Sequence, residues 1–316
     1  FDYSVGSIFW ARGNSLKKIF DMNLSYSDFG TEEGKNDGTF AHAIERMLPS
    51  AVMSMGYKYL IVDINKQCFK NTSDKNLWQY CNMNYKDILL KVKGYKEITF
   101  DIFDTLLTRM VYNPSDVMDL IEEHIKTEGI NFEKFKETRA NAEYNVRVKN
   151  KFSIDVTIDD IYNELKKITN FTKEQLDYIK QTEKEFEVKF CVPRKDMLNL
   201  FNELKRMKKK IYLISDMYLD SDTITKMLNK CGYYGWDELI VSCEVNKRKD
   251  NGTMWDYFFE NHSNTLHFGD NEASDIQAVC DRGHDFVHVM QGKRIFTTTK
   301  YGQNLSSDLN NISNAD

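Results

Sequence analysis

The sequence predicts an α/β fold with a parallel sheet over the larger part of its 316 residues. First, from about residue 96 onward, short apolar runs alternate with amphipathic helical segments, the pattern of parallel strands joined by crossover helices. Second, the run 96–103 is apolar on both faces, as a strand buried in a parallel sheet requires. Third, residues 115–190 are charged and helical in period, without a comparable strand. We therefore expect a helical insertion after the first strand of the sheet.

The first 64 residues are predicted to form a separate, smaller α/β unit. A helix is expected between Phe40 and Met55, because apolar residues recur along one side of this segment. The strand-like run 59–62 follows that helix. A polar linker is then expected over about 65–82, before the sheet domain begins.

In the sheet domain, Pro193 is expected to open a helix, because proline favours the first helical position. That helix leads to a strand that ends at Ser215, and the next helix is capped by Asp220 or Ser221 and stopped by Gly232. The further expected elements are strands at 238–242, 265–268 and 285–290, and a helix over 273–281 closed by Gly283. The predicted domains are a core of 83–114 and 191–296, a helical insertion at 115–190 and a flexible tail at 297–316.

Composition and charge exclude several classes of function. The 43 basic and 48 acidic side chains give a net charge of −5 without a long basic run, which argues against binding to nucleic acid or an anionic membrane. No apolar stretch approaches the roughly 18 residues of a membrane span. The six cysteines lack CxxC spacing, so we expect buried thiols in a reducing compartment, by default the cytoplasm. Because the chain does not begin with methionine, we expect it to be part of a longer polypeptide.

Four polar features occur where the predicted parallel strands end, and open α/β sheets bind ligands at these carboxyl ends. They are the run 101–105 (Asp-Ile-Phe-Asp-Thr), Ser215, Lys249 and the run 269–275 (Gly-Asp-Asn-Glu-Ala-Ser-Asp). Metal-assisted phosphoryl transfer requires a nucleophile such as a carboxylate, a hydroxyl and a lysine for the phosphoryl oxygens, and an acidic pair for a divalent cation. The alternative interpretation is purely structural, with the first aspartate of each run acting as a helix cap.

Taken in this order, the four features resemble the motifs of the haloacid dehalogenase (HAD) superfamily over about residues 96–291. The resemblance implies a Rossmann-like parallel sheet with a helical cap at 115–190. It also implies a role for each motif residue. Asp101 is the expected catalytic nucleophile, with Ser215 and Lys249 as catalytic groups at the phosphoryl oxygens. The further phosphate-binding residues are Thr105, Asp216 and Asn271, and the implied ligands of Mg²⁺ are Asp101, Asp270, Asp275 and the backbone carbonyl of Phe103.

Two positions leave alternatives open. Lys247 competes with Lys249 as the motif lysine, and Lys249 is preferred because Gly252 then follows at the family's usual offset. Where HAD phosphatases carry an aspartate that acts as general acid and base, this sequence has Phe103, and such a group is typically worth about 10²–10⁴-fold in rate. HAD dehalogenases also lack that aspartate, but they do not keep a metal-binding fourth motif. Asp104 can take the place of the absent aspartate as a catalytic acid only if the chain kinks just after the strand, because the side chains of neighbouring strand residues point to opposite faces.

Two narrower resemblances indicate a biological setting. Residues 100–109 and 215–219 are similar to a bacterial group of HAD hydrolases that occurs with glycosyltransferases of surface-polysaccharide synthesis. Residues 1–64 resemble the closing part of a rhamnan-synthesis-type glycosyltransferase, on the runs 6–12 and 37–46. A glycosyltransferase domain is therefore an expected partner. No transferase activity is expected from these residues, because the nucleotide-sugar half of such an enzyme is not among them.

Several polar side chains lie outside the four motifs. In the cap, Arg139 and Arg147 are interpreted either as charge pairs on a solvated helix face or as substrate contacts. Five isolated histidines lack the spacing of metal ligands and are predicted to be surface or strand residues: His124, His262, His267, His284 and His288.

The sequence as a whole predicts Mg²⁺-dependent hydrolysis of a small phosphorylated metabolite, such as a sugar phosphate of surface-polysaccharide synthesis, slowed by Phe103. Two alternatives stay open. One is a catalytically weak or inactive HAD module that binds phosphate or scaffolds a glycosyltransferase. The other is a fragment of a bifunctional glycosyltransferase.

Overall fold

The computed structural model describes residues 11, 13–30, 39–54, 61–63, 68–70, 84–299, 301–302 and 305. The chain divides into two compact units, Phe1–Gln79 and Tyr80–Asp316. Most of the predicted tail lies outside the described residues.

The strands in the described residues are β1 (Ile61–Asp63), β2 (Cys68–Lys70), β3 (Glu97–Phe100), β4 (Leu107–Arg109), β5 (Cys191–Pro193), β6 (Lys210–Ser215), β7 (Glu238–Val241), β8 (Thr265–Gly269) and β9 (Asp285–His288). The α-helices are α1 (Lys17–Phe20), α2 (Phe40–Ser54), α3 (Tyr85–Lys93), α4 (Val117–Thr127), α5 (Phe135–Lys149), α6 (Ile158–Ile168), α7 (Lys173–Phe190), α8 (Lys195–Arg206), α9 (Ser221–Lys230), α10 (Ser242–Val245), α11 (Thr253–Phe259), α12 (Ala278–Cys280) and α13 (Gly292–Thr298). None of these helices is long and apolar enough to cross a membrane.

The smaller unit contains the predicted helix, α2, and a pair of short strands. β1 pairs antiparallel with β2, with Val62 opposite Phe69. The second strand lies within the segment that we expected to be a polar linker. Helix α2 has two buried apolar residues, Ala51 and Val52.

The larger unit is built on a five-stranded parallel sheet with the order β7-β6-β3-β8-β9. The predicted α/β class is therefore confirmed. Strand β3 lies at the centre, where Phe100 is opposite both Leu213 of β6 and Phe268 of β8. Because all five strands run the same way, their carboxyl ends meet at one edge of the sheet, and the motif residues follow those ends.

Apolar residues alternate between the two faces of this sheet, as the period of two in a strand requires. On one face, Phe100 packs against Phe201 of α8, with a ring separation of 6.1 Å. On the other face, Tyr212 packs against Phe258 of α11 at 5.3 Å. Helix α9 begins at Asp220, whose Oδ1 accepts a hydrogen bond from the Thr223 amide at 2.8 Å, as expected for an N-cap.

The cap consists of α4 to α7, inserted between two stem strands, β4 and β5. These strands pair antiparallel, with Leu107 opposite Pro193 and Arg109 opposite Cys191. The prediction that Pro193 opens a helix is wrong, because Pro193 ends β5 and α8 begins two residues later, at Lys195. The stem strands have three residues each, too few to show a periodicity in the sequence.

The segment predicted as a helix over 273–281 is less regular than expected. It begins with a π-helical turn, Glu272–Gln277, and continues as α12. π-helical turns are rare, and they occur frequently at functional sites. Here the turn places Asp275, which is buried, directly behind the end of β8.

Candidate active site

All four motifs line one cavity of about 690 Å³ at the carboxyl edge of the sheet. Asp101 follows β3, Ser215 is the last residue of β6, and Asp270 follows β8. Lys249 lies in the loop between α10 and α11, and it reaches the same cavity. Lys247 does not line this cavity, so the structure brings Lys249 rather than Lys247 to the strand ends.

Lys249 is held between two carboxylates in the interior. Its Nζ donates hydrogen bonds to Asp101 Oδ1 at 2.6 Å and to Asp275 Oδ1 at 2.7 Å, and the side chain is only 2% exposed. Burial lowers the pKa of Lys249, but Asp101, Asp275 and Asp216 outweigh burial and raise the pKa above its usual value. The lysine therefore stays charged over the whole physiological pH range.

Asp275 positions this lysine. Its Oδ1 also lies 3.4 Å from His267 Nε2, and its Oδ2 accepts a hydrogen bond from the Asn271 amide at 3.1 Å. Burial raises the pKa of Asp275, but Lys249 and His267 lower it below its usual range. With both oxygens engaged, Asp275 fits a supporting role behind the lysine better than it fits direct ligation.

Three carboxylates form a cluster that fits a divalent cation. Ligand oxygens of Asp101, Asp270 and Asp275 all lie within 4.8 Å of one another. Burial, with Asp101 and Asp275 nearby, raises the pKa of Asp270 to about 8. Asp101 Oδ2 is buried and has no hydrogen-bond partner among the described residues. Mg²⁺ prefers oxygen ligands, and this cluster offers several carboxylate oxygens, one of them buried and without a partner in the described part of the chain.

Asp270 is oriented by three neighbours. Thr105 Oγ1 lies 3.4 Å from Asp270 Oδ1, and the Gln291 side-chain amide donates to Asp270 Oδ2. The Asp270 carbonyl lies 2.9 Å from His288 Nε2. Thr105, predicted to bind phosphate, thus lies next to a carboxylate of the acidic cluster. Our reasoning from sequence did not identify Gln291 or His288 as parts of this site.

Ser215 contributes a hydroxyl group to the cavity at the end of β6. It is 1% exposed, and its Oγ has no hydrogen-bond partner among the described residues. A buried hydroxyl without a partner costs free energy, so this position is suited to an oxygen of a bound ligand.

Two residues predicted to bind phosphate, Asp216 and Asn271, have side-chain oxygens that accept hydrogen bonds within the protein. Both Asp216 oxygens accept hydrogen bonds from the Lys249 backbone N–H, at 3.0 and 2.9 Å. Burial raises the pKa of Asp216 to about 6. Asn271 Oδ1 accepts from the Ala273 and Ser274 amides and so caps the π-helical turn. Asp216 fixes the lysine loop, and Asn271 fixes the acidic turn.

The chain kinks within the first motif, at Asp104. Asp104 has a φ of +58°, a left-handed conformation that is uncommon for residues other than glycine. As a result, both Phe103 and Asp104 line the cavity, although they are adjacent in sequence. Thr108 Oγ1 donates to Asp104 Oδ1 at 3.3 Å, and the Arg109 guanidinium lies over the Phe103 ring at 4.6 Å. The kink that Asp104 requires to replace the missing acid is therefore present.

The cap contributes the opposite wall of the cavity. Arg139 is buried, donates to Glu183 Oε1 at 2.9 Å, and lies over the Tyr218 ring at 4.2 Å. The solvated-face interpretation is therefore wrong for Arg139. Arg147 donates to Asp155 Oδ1 at 2.6 Å and is 21% exposed.

Comparisons with known proteins match the two parts of the chain separately. Residues 1–57 match the family described as Rhamnan synthesis protein F. A stretch of 61 residues is 43% identical to the uncharacterized protein WxcX of Xanthomonas campestris pv. campestris. That stretch is 19% of this chain and spans only 9% of the length of WxcX.

Three solved structures illustrate the likeness of the larger unit. HAD-hydrolase YfnB from Bacillus subtilis, in a form bound to magnesium, is 19% identical with a TM-score of 0.43, over 63% of this chain and 92% of that chain. A hydrolase from Streptococcus pneumoniae TIGR4 is 18% identical with a TM-score of 0.36, over 65% and 97%. A 2-haloacid dehalogenase from Pseudomonas syringae pv. Tomato DC3000 is 13% identical with a TM-score of 0.43, over 61% and 85%. At these scores, none of the three bears on substrate or mechanism.

The strand order and the inserted helices make the larger unit an α/β domain with a parallel sheet and a helical cap, the arrangement that the resemblance to the HAD superfamily implies. The predicted resemblance of the first residues to rhamnan-synthesis proteins is confirmed by the family match over residues 1–57.

Proposed function

We propose that the HAD-type domain is a Mg²⁺-dependent phosphohydrolase that acts on a small phosphorylated metabolite. One observation carries this proposal: Lys249 holds one oxygen of Asp101, while the other oxygen of Asp101 and the hydroxyl of Ser215 are buried in the same cavity without a partner. A fixed carboxylate oxygen and an unsatisfied hydroxyl are what an incoming phosphoryl group requires.

A carboxylate oxygen of Asp101 attacks phosphorus, and the bond from phosphorus to the leaving oxygen breaks. Ser215 Oγ donates a hydrogen bond to a phosphoryl oxygen, and Lys249 balances negative charge that develops on the same group. Asp104 delivers the proton that the leaving oxygen needs, in place of the usual aspartate. Water then attacks the phosphorus of the aspartyl phosphate and gives a proton to the Asp104 carboxylate, which releases phosphate and restores both the Asp101 carboxylate and the Asp104 acid.

Asp101, Asp270 and the Phe103 carbonyl would hold Mg²⁺, with Asp275 in support. When bound, the ion supplies charge neutralisation at the phosphoryl oxygens. Thr105 and Gln291 keep the Asp270 carboxylate oriented toward the site.

The match of residues 1–57 to Rhamnan synthesis protein F supports a sugar phosphate of surface-polysaccharide synthesis as the substrate, and a glycosyltransferase as the partner. We place this activity in the cytoplasm, which the unpaired thiols of Cys191, Cys231 and Cys243 support. Phe103 favours a second candidate function, a phosphate-binding module without useful turnover that scaffolds the transferase.

The test is release of phosphate from a panel of sugar phosphates, with Mg²⁺ and with EDTA. We expect Mg²⁺-dependent hydrolysis that Asp101→Asn abolishes. Asp222→Asn, at an exposed position on α9, is the matched control and should leave the rate unchanged. Equal rates for Asp101→Asn and wild type would disprove the mechanism. Mg²⁺ binding without hydrolysis of any panel member would favour the scaffold function.

A further inference from the structure

Opposite walls of the active-site cavity carry opposite charge. The core wall has five aspartates and one lysine: Asp101, Asp104, Asp216, Asp270, Asp275 and Lys249. The wall formed by the stem and cap has four basic and two acidic side chains: Arg109, Lys136, Arg139, Arg147, Glu143 and Glu187. A ligand that places its phosphoryl group against the metal-binding core wall therefore presents its other end to a cationic wall.

Most cations on this wall are committed to partners within the protein. Lys136 binds Asp116 and Asp119. Arg139 donates through both Nη atoms and Nε to Glu183 and Glu143. Arg147 donates to Glu143 and Asp155. Their guanidinium and ammonium groups thus hold the cap together, and they are poor candidates for recognition of a ligand.

Arg109 differs from these three cations. Its side chain is 12% exposed, and its recorded hydrogen bond is from Nε to Glu187 Oε2 at 2.8 Å. Within the described part of the chain, neither of its Nη atoms donates a hydrogen bond. Its guanidinium is held over the Phe103 ring, so this aromatic residue supports the arginine at the position where the usual acid is absent. A guanidinium that lines a cavity and keeps free N–H groups is suited to an anionic acceptor on a bound ligand.

We propose that Arg109 binds a second anionic group of the substrate, a carboxylate or a second phosphate, close to the phosphoryl group that is transferred. This inference rests on the proposed phosphohydrolase function and specifies its substrate class: phosphoesters that carry a further acid group. The planar guanidinium fork matches two oxygens of such a group. Because Phe103 lies two residues after Asp101 and packs against the Arg109 guanidinium, it places that guanidinium in the part of the cavity where the phosphoryl group would react.

The test compares probes that differ in one acid group. The carboxylate pair is 3-phosphoglycerate and glycerol 3-phosphate, and the phosphate pair is glucose 1,6-bisphosphate and glucose 6-phosphate. We expect wild type to have a higher kcat/KM for the member with the additional acid group in at least one pair, and the pair that shows this preference identifies the anion. Equal kcat/KM values within both pairs would overturn the inference, while hydrolysis of all four probes would leave the proposed function intact.

The variant is the double substitution Arg109→Gln with Glu187→Gln. Arg109→Gln alone would leave the carboxylate of Glu187, which is 1% exposed, buried and unpaired, so the fold could be lost. The double variant should lower kcat/KM for the preferred diacidic probe by about 10- to 100-fold and change the monoacidic probe by less than about threefold. Arg206→Gln, on the exposed end of α8, is the control and should change neither.

Calorimetric titration of the same probes into the Asp101→Asn variant measures their binding affinities and tests the inference without any hydrolysis of the probes. Tighter binding of a diacidic probe, lost when Arg109→Gln and Glu187→Gln are added, supports it even if no probe is hydrolysed. Equal binding of both members of each pair, or no binding, overturns it.

Discussion

Replacing Phe103 by aspartate restores a carboxyl group where HAD phosphatases carry their general acid. A well-placed acid is worth about 10²–10⁴-fold. The Arg109 guanidinium lies 4.6 Å from the Phe103 ring centroid. At that separation and an effective dielectric constant of about 20, a new carboxylate would be stabilised by about 3.6 kcal/mol, which lowers its pKa by about 2.6. Because a carboxyl group with a lowered pKa is protonated in only a small fraction of molecules near neutral pH, we expect a gain nearer to about 10²-fold.

The assay separates proton transfer from other effects by the choice of leaving group. The ratio kcat/KM covers the steps up to transfer of the phosphoryl group to Asp101. An alkyl leaving group such as that of glycerol 3-phosphate needs a proton, whereas p-nitrophenolate does not. F103D should therefore raise kcat/KM for glycerol 3-phosphate and change it by less than about threefold for p-nitrophenyl phosphate. F103N, which has the same size but no acidic proton, is the control. No gain for glycerol 3-phosphate in a folded F103D protein that binds Mg²⁺ would refute the idea that the missing acid limits turnover.

Three further substitutions test other parts of the site. Asp104→Asn should lower kcat/KM for alkyl phosphates by about 10²-fold and spare p-nitrophenyl phosphate, and an equal loss for both would rule out its role as the acid. Asp270→Asn should weaken Mg²⁺ binding at least about tenfold in calorimetry with the fold retained, since it removes one ligand charge, and unchanged affinity would place the metal elsewhere. Gly269→Ala should destabilise the protein by about 1–3 kcal/mol in urea unfolding, because its Cβ would lie 2.4 Å from the Cβ of Asp275. An unchanged urea midpoint would show that the π-helical turn shifts to accommodate the added methyl group.

The sequence predicted the parallel sheet well because its strands are buried on both faces. Strand β6 has five consecutive buried residues after Lys210, and β8 is buried throughout. Such runs stand out from the amphipathic helices between them. The strand-end residues Asp101, Ser215 and Lys249 were predictable for a related reason, since parallel strands bring residues distant in sequence to one edge.

Other parts of the site depend on contacts that one sequence does not encode locally. Arg109 gains its surroundings from Phe103, six residues earlier, and from Glu187, 78 residues later in the chain. Gln291 reaches Asp270 from beyond the last strand. His267 offered a usable signal, because an imidazole in the fully buried run of β8 requires a buried partner. That partner is Thr99 of the neighbouring strand, whose Oγ1 lies 2.8 Å from His267 Nδ1.

Gly269 shows how closely the chemistry of this site depends on packing. A Cβ at this position would lie 2.4 Å from the Cβ of Asp275 and 2.6 Å from His267 Nε2. The backbone φ of Gly269 is not in the left-handed region, so the requirement for glycine is one of space rather than of backbone conformation. This space lets Asp275 approach the end of β8 closely enough to meet both His267 and Lys249. Because Lys249 also donates to Asp101 Oδ1, the absence of a side chain at Gly269 lets Asp275 and Asp101 share the same buried lysine.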